Sequence, residues 1–173
     1  MVELEIQDFE KNKKAYKKVE QSLKNVLGEN VQVHHVGSTA IPDMCGKNII
    51  DVLVGAKNAQ EFGEMRDKIE TMGYFASQNS KSEIYQFFAS KQGETGSGDT
   101  HIHLVKMGTD RYDDFLTLRD YLLSNKKEAE DYMNHKKELI SLGVTDRKQY
   151  RATKSLYVSA LIERARENKN KNF

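Results

Sequence analysis

The chain has 173 residues, 38% of them hydrophobic, with 27 lysines and arginines against 26 aspartates and glutamates. That size and apolar share fit one compact domain, and the near balance of charge excludes a global field that draws in long nucleic acid. No run approaches the roughly 20 apolar residues of a membrane helix, Met1 to Glu5 lacks the basic and apolar regions of a secretory leader, and the single cysteine, Cys45, has no partner for an internal disulfide. The expectation is a cytoplasmic protein without membrane attachment, in which Cys45 is a small buried hydrophobe.

Residues 8–28 predict an amphipathic helix, because Phe9, Tyr16, Val19, Leu23, Val26 and Leu27 recur near the helical period and Gly28 stands where a C-terminal cap belongs. Val31, Val33 and Val36 predict a short strand that runs into Gly37-Ser38. The β-branched run Ile49 to Val54 predicts a central strand buried on both faces. The connection between them holds the only proline, Pro42. A helix over 58–72 ends at Gly73, and 73–77, 83–90 and 100–106 read as strands that complete a sheet of about five. Residues 92–98 have the composition of a mobile loop. The pattern then turns helical over 110–124, 126–142 and 147–167, with Gly143 ending the second segment and Thr145 or Asp146 capping the third. The fold class is α+β, with an N-terminal helix and three C-terminal helices in one domain over 1–167, followed by a tail from Asn168 expected to fray.

A glycine at a strand end lets backbone N–H groups approach an anion. Ser38 adds a hydroxyl there, and Thr39 can open a short helix whose start favours negative charge. Gly-Ser alone is an ordinary turn; Asp51 changes its meaning. An ionised carboxylate within Ile49 to Val54 faces a desolvation cost of several kcal/mol unless a metal, a cation or several hydrogen bonds answer it. An ion pair with Lys47, or hydrogen bonds at a strand end, is the bland answer. On the metal answer, Asp51→Asn should preserve or raise thermal stability, since it relieves a buried charge.

His101 and His103 stand two apart in a strand and so project from one face, joined by Asp99 if the strand begins early. Two imidazoles and a carboxylate form a plausible set for one divalent ion, with Mg, Mn and Zn as candidates. His34 and His35 point to opposite faces, with His35 expected to reach the same pocket, and His135 reads as a surface residue. On the C-terminal helices Arg119, Lys136 and Lys154 fall where core residues belong. Single cations of this kind snorkel, and Arg119-Asp120 suggests salt bridging; three together predict a local basic pocket for a small phosphorylated ligand.

The segments His35-Val36-Gly37-Ser38-Thr39-Ala40-Ile41-Pro42, Lys47, Ile49-Ile50-Asp51, His101-Ile102-His103-Leu104, Phe115 and Leu118-Arg119-Asp120-Tyr121-Leu122 closely resemble the GrpB family. Tyr132 with Lys136, and Tyr150 with Lys154, continue the likeness over nearly the whole chain. The family is grouped with the nucleotidyltransferase superfamily, so the resemblance implies that fold and transfer of a nucleotidyl group. Taken with the residue pattern above, the expectation is phosphate contact from Gly37, Ser38, Thr39, Lys47, Arg119, Lys136 and Lys154, metal ligation by Asp51, His101 and His103, and catalytic roles for Asp51 and Ser38. Superfamily members carry two alternating acids on the central strand and a third on a later strand; here the second acid position is Leu53, and the later strand offers His101 and His103. Asp43 stands where the family has glycine and Asn48 where it has proline. Two rivals follow: a phosphate-binding module without turnover, and a hydrolase built on the His-x-His pair.

Overall fold

A computed structural model describes residues 2–91 and 98–171, so the loop predicted over 92–98 lies outside them except for Gly98. Helix α1 (Phe9–Leu27) starts where the Asp8 carboxylate accepts from the Lys11 N–H at 2.9 Å and ends where the Gly28 N–H reaches the Lys24 carbonyl. In chain order follow β2 (Gln32–Val36), β4 (Ile50–Ala56), α2 (Ala59–Thr71), β5 (Phe75–Ala76), β6 (Tyr85–Ala89), β7 (Thr100–Lys106), α3 (Asp110–Ser124), α4 (Lys126–Ser141) and α5 (Arg147–Lys171). The strands form one five-stranded mixed sheet in the order β2-β4-β7-β6-β5, with β4 and β7 parallel and the other neighbours antiparallel.

Alternation along the central strands separates two faces. Val52, Val54, Ile102 and Leu104 pack with Leu23 of α1 and Phe62, Met65 and Ile69 of α2. Each such side chain contributes about 1.5–3 kcal/mol on burial. On the other face Leu53 and Val105 meet Val36 and Tyr112 of α3. Asp51 shares the face of Leu53, and the parallel register sets Asp51 beside His101 and Leu53 beside His103. A separate cluster of Ile41, Met44, Tyr121, Leu122, Tyr132 and Leu161 docks the C-terminal helices onto the connection after Gly37-Ser38. That docking sets the C-terminal helices against the connection that leads into β4.

Several local expectations are corrected. Two two-residue strands, β1 (Glu5–Ile6) and β3 (Cys45–Gly46), form a ribbon that was not predicted, pairing Glu5 with Gly46 and Ile6 with Cys45. Of the two cap candidates for α5, Asp146 accepts from the N–H groups of Lys148 and Gln149. The tail expected to fray is helical through Lys171, and the Asn168 amide donates to the Tyr121 hydroxyl at 3.1 Å. Asp43 has φ 59 and Asn48 has φ 55. The first is a left-handed conformation that glycine adopts freely and aspartate tolerates; the second is closed to proline. Cys45 is buried, as expected. Among the described residues no helix is long and apolar enough to cross a membrane.

Candidate functional site

The site begins at a close approach. Gly37 has φ 72, and a Cβ there would overlap the Asp51 carboxylate, lying 2.9 Å from its Cγ. Glycine is therefore required twice, for its backbone conformation and for the space the carboxylate fills. Beyond it Ser38–Ala40 make one 3-10 turn, in which the Ala40 and Ile41 N–H groups donate to the Gly37 and Ser38 carbonyls. The Ser38 hydroxyl lies against Gly46, in the space a side chain there would occupy. Oriented to satisfy its neighbours, the buried Gln7 amide donates to the Ser38 carbonyl at 3.1 Å and accepts from the Asn48 N–H at 3.2 Å. Thr39 is wholly buried; its hydroxyl donates to the Ile49 carbonyl at 3.4 Å and meets His35 Nε2 at 2.9 Å, so that side chain locks the turn from inside.

Two imidazoles answer the Asp51 charge. Its Oδ1 lies 3.1 Å from His101 Nδ1 and 3.5 Å from His103 Nε2. Burial pushes the carboxyl group up, but the hydrogen bonds and charge of His101 and His103 outweigh it and hold Asp51 below the usual carboxylate range. His103 Nδ1 meets the Tyr85 hydroxyl at 3.1 Å, while Phe87 and Phe115 wall the imidazoles at 4.9 and 4.7 Å between ring centres. Burial pushes the Tyr85 phenol up to about 12, and the Arg111 guanidinium lies 4.0 Å over its ring. His101 Nε2 is buried without a partner among the described residues.

The donor chemistry of Asp51, His101 and His103 suits a divalent ion. Ligand atoms about 2.1 Å from one ion stand roughly 3.0–3.4 Å apart, close to the two separations observed. Among the described residues, however, no group of three or more His, Cys, Asp and Glu side chains is arranged to hold a metal ion. The nitrogens that turn to Asp51 do so as hydrogen-bonding partners, so ion binding requires His101 and His103 to give up those bonds.

The remaining expected members divide. His35 is on the opposite face: it pairs with Val52 and stacks on Tyr16 at 4.5 Å, which corrects its placement beside Asp51. Asp99 precedes β7 and bonds the Ser90 hydroxyl at 2.8 Å, so it does not join the imidazoles. Lys47 is exposed, its Nζ 5.9 Å over the Tyr150 ring, and among the described residues it forms no ion pair with Asp51. Lys136 is 3% exposed and donates to the Cys45 carbonyl; burial pulls its ammonium down to about 8, with Lys154 adding to the fall. Lys154 is half-buried, lowered by burial against the opposing pull of Asp51. Arg119 donates to the His35 carbonyl at 3.3 Å and pairs with Asp120, bracing the β2 edge. Of the three inward cations, then, Lys136 and Lys154 come together and Arg119 stands elsewhere. His135 stacks on Tyr157 at 4.2 Å and is half-buried, not a surface residue.

Leu53, at the second acid position, is fully buried among Val36, Val105 and Tyr112. Residues that sequence reasoning missed include Gln7, Tyr85, Arg111, Arg147 and Arg151. For the last two a signal existed, since Arg147, Arg151 and Lys154 repeat at helical spacing on one face of α5.

The five-stranded mixed sheet and its flanking helices have a nucleotidyltransferase-like fold. A crystal structure of the Cid1 poly(U) polymerase with MgGTP bound has the same fold over 75% of this chain and 42% of that one, with TM-score 0.51 and 12% identity. Residues 3–164 match the family model described as GrpB protein, and the chain belongs to the GrpB family. The conserved protein GrpB of Enterococcus faecalis superimposes with TM-score 0.80 at 22% identity, covering 96% of this chain and 99% of that one. A UPF0157 protein of Halalkalibacterium halodurans is 28% identical over 144 residues, 83% of this chain and 72% of the relative. The UPF0157 protein YqkA of Bacillus subtilis is 27% identical over 158 residues; the match takes in 91% of this chain and 45% of that relative, so the chain spans less than half its length.

Proposed function

We propose that the protein binds a nucleotide or another phosphorylated small molecule and transfers a nucleotidyl group from it to an acceptor hydroxyl. One observation carries the reading: the Asp51 carboxylate rests directly on the bare backbone of Gly37, at the turn where Ser38 brings a hydroxyl. Gly37, Ser38 and the Thr39 backbone would hold phosphate. Lys47 and Lys154, both within the field of Asp51, would neutralise it, with Lys136 and Arg119 adding charge from farther off. A divalent ion would use Asp51, His101 and His103 and would supply charge neutralisation at the phosphate. In the transfer from a nucleoside triphosphate, the acceptor hydroxyl gives its proton to water as its oxygen bonds the α-phosphorus, the bond from that phosphorus to the oxygen bridging to the β-phosphorus breaks, and pyrophosphate leaves with that oxygen. The reading suits a cytoplasmic protein with no membrane or long nucleic-acid partner.

Leu53 favours a second reading, a binding module without turnover, because the position that carries the superfamily's second acid is closed into the core. Incubation with nucleoside triphosphates and Mg, Mn or Zn separates the possibilities. Pyrophosphate release supports transfer, orthophosphate release supports hydrolysis through the His-x-His pair, and saturable binding without product supports the module. Ser38→Ala should weaken phosphate binding with the fold intact; unchanged affinity would count against the cradle.

A further inference from the structure

The N-terminal turns of α5 carry Arg147, Arg151 and Lys154 at spacings of four and three residues, so they line one helix face. At about 1.5 Å per residue they form a row roughly 10 Å long. Lys47 approaches the same face from the opposite loop, over Tyr150 of α5. Lys154, nearest the core, is within the field of Asp51, and its charge, with those of Arg147 and Arg151, holds the Lys47 ammonium below its ordinary range after burial. Among the described residues none of these four cations is paired with a carboxylate. Asp146, the acid adjoining Arg147, turns its side chain to the backbone N–H groups of the helix start. Four like charges with no paired carboxylate, and with Asp51 acting only on Lys47 and Lys154, repel one another until a further anion is brought to them, in a chain whose net charge is only +1.

Resting on the reading of the site as a phosphate binder, we propose that its ligand carries a run of phosphates laid outward from Asp51 along α5, and that Arg147 and Arg151 are the residues that read the length of that run. Lys154 and Lys47 face the inner phosphate, and the two exposed arginines, one and two turns along α5 from Lys154, meet only the outer ones. Guanidinium suits this task, since its planar fork takes two phosphate oxygens at once. A monophosphate leaves both arginines unused.

The test is calorimetric titration of the full chain, in metal-free buffer of fixed ionic strength, with AMP, ADP, ATP and sodium tripolyphosphate. Affinity should rise at least tenfold from AMP to ATP. Arg147→Gln and Arg151→Gln should each remove most of that rise while leaving AMP binding within threefold of the parent. Both side chains are exposed, so the variants should keep the parent melting temperature. Equal binding of AMP and ATP overturns the inference and leaves the phosphate site standing. So does a loss in Arg151→Gln that is as large for AMP as for ATP, because Arg151 would then hold the inner phosphate. No binding of any of the four compounds sinks both the inference and the reading beneath it.

Discussion

Lys136 offers a stability test with a defined sign. Its ammonium is pulled from the ordinary 10.5 to about 8, first by burial and then by Lys154, with Cys45 opposing. At about 1.36 kcal/mol for each tenfold change, that fall corresponds to about 3 kcal/mol of cost in the folded state. Between pH 8 and 10.5 the unfolded chain keeps this proton and the folded chain has released it. Stability therefore rises with pH across that window, the cost being fully present below it and gone above it. Lys136→Met removes the titrating group. Near neutral pH it escapes the cost of about 3 kcal/mol but loses a charged hydrogen bond to the Cys45 carbonyl worth about 1.5–3 kcal/mol, so the two proteins should lie within about 1–2 kcal/mol there. Urea unfolding at a series of pH values measures both. The tyrosines titrate in each protein, so the parent-minus-variant difference isolates Lys136, and it should climb by up to about 3 kcal/mol through the window. A flat difference would mean that the ammonium is hydrated, and the inward placement of Lys136 would be refuted.

Three further outcomes follow from the site. Gly37→Ala should cost about 1–3 kcal/mol for its positive-φ extended backbone and more for displacing Asp51, so an Asp51→Ala background should recover the second part; additivity in a double-mutant cycle would refute the close approach. His35, pulled down from 6.5 to about 4 by burial and by Arg119 against the charge of Asp51, should make the fold lose up to about 3 kcal/mol as pH falls through that range. His35→Gln should flatten this acid limb in thermal melts, and an unchanged limb would place the cause elsewhere. Asp51→Asn, expected from a metal-bound acid to keep or raise stability, should in metal-free buffer lower it by about 1–3 kcal/mol, because the two imidazoles exchange a charged acceptor for a neutral amide oxygen; calorimetric unfolding decides the sign.

Long periodic segments were legible. Helix α3 spans the predicted residues 110–124, and β7 the predicted 100–106, because each repeats its apolar positions over enough turns or pleats to define a period. The β1–β3 ribbon was not, since two residues carry no period; it forms from contacts between Glu5-Ile6 and Cys45-Gly46, distant in the chain. Arg119 shows a different limit. Helical phase puts it on the inward side of α3, but phase does not say which neighbour lies there, and the neighbour is the His35 carbonyl of an edge strand.

The histidines show why the centre itself was only half legible. That Asp51 needs compensation follows from burial alone. Which groups supply it depends on how β4 pairs with β7, strands 50 residues apart in sequence at the paired Asp51 and His101. A shift of one residue would turn both imidazoles into the core beneath α1 and α2 and bring Ile102 or Thr100 opposite the carboxylate. The same parity argument excludes His35, because Val36 is the β2 residue opposite Asp51 and its neighbour must face away. His101 and His103 thus reach Asp51 because Ile102 and Leu104 must be buried with Val52 and Val54 on the far side. The apolar residues of these two strands set the register, and the register assembles the polar centre.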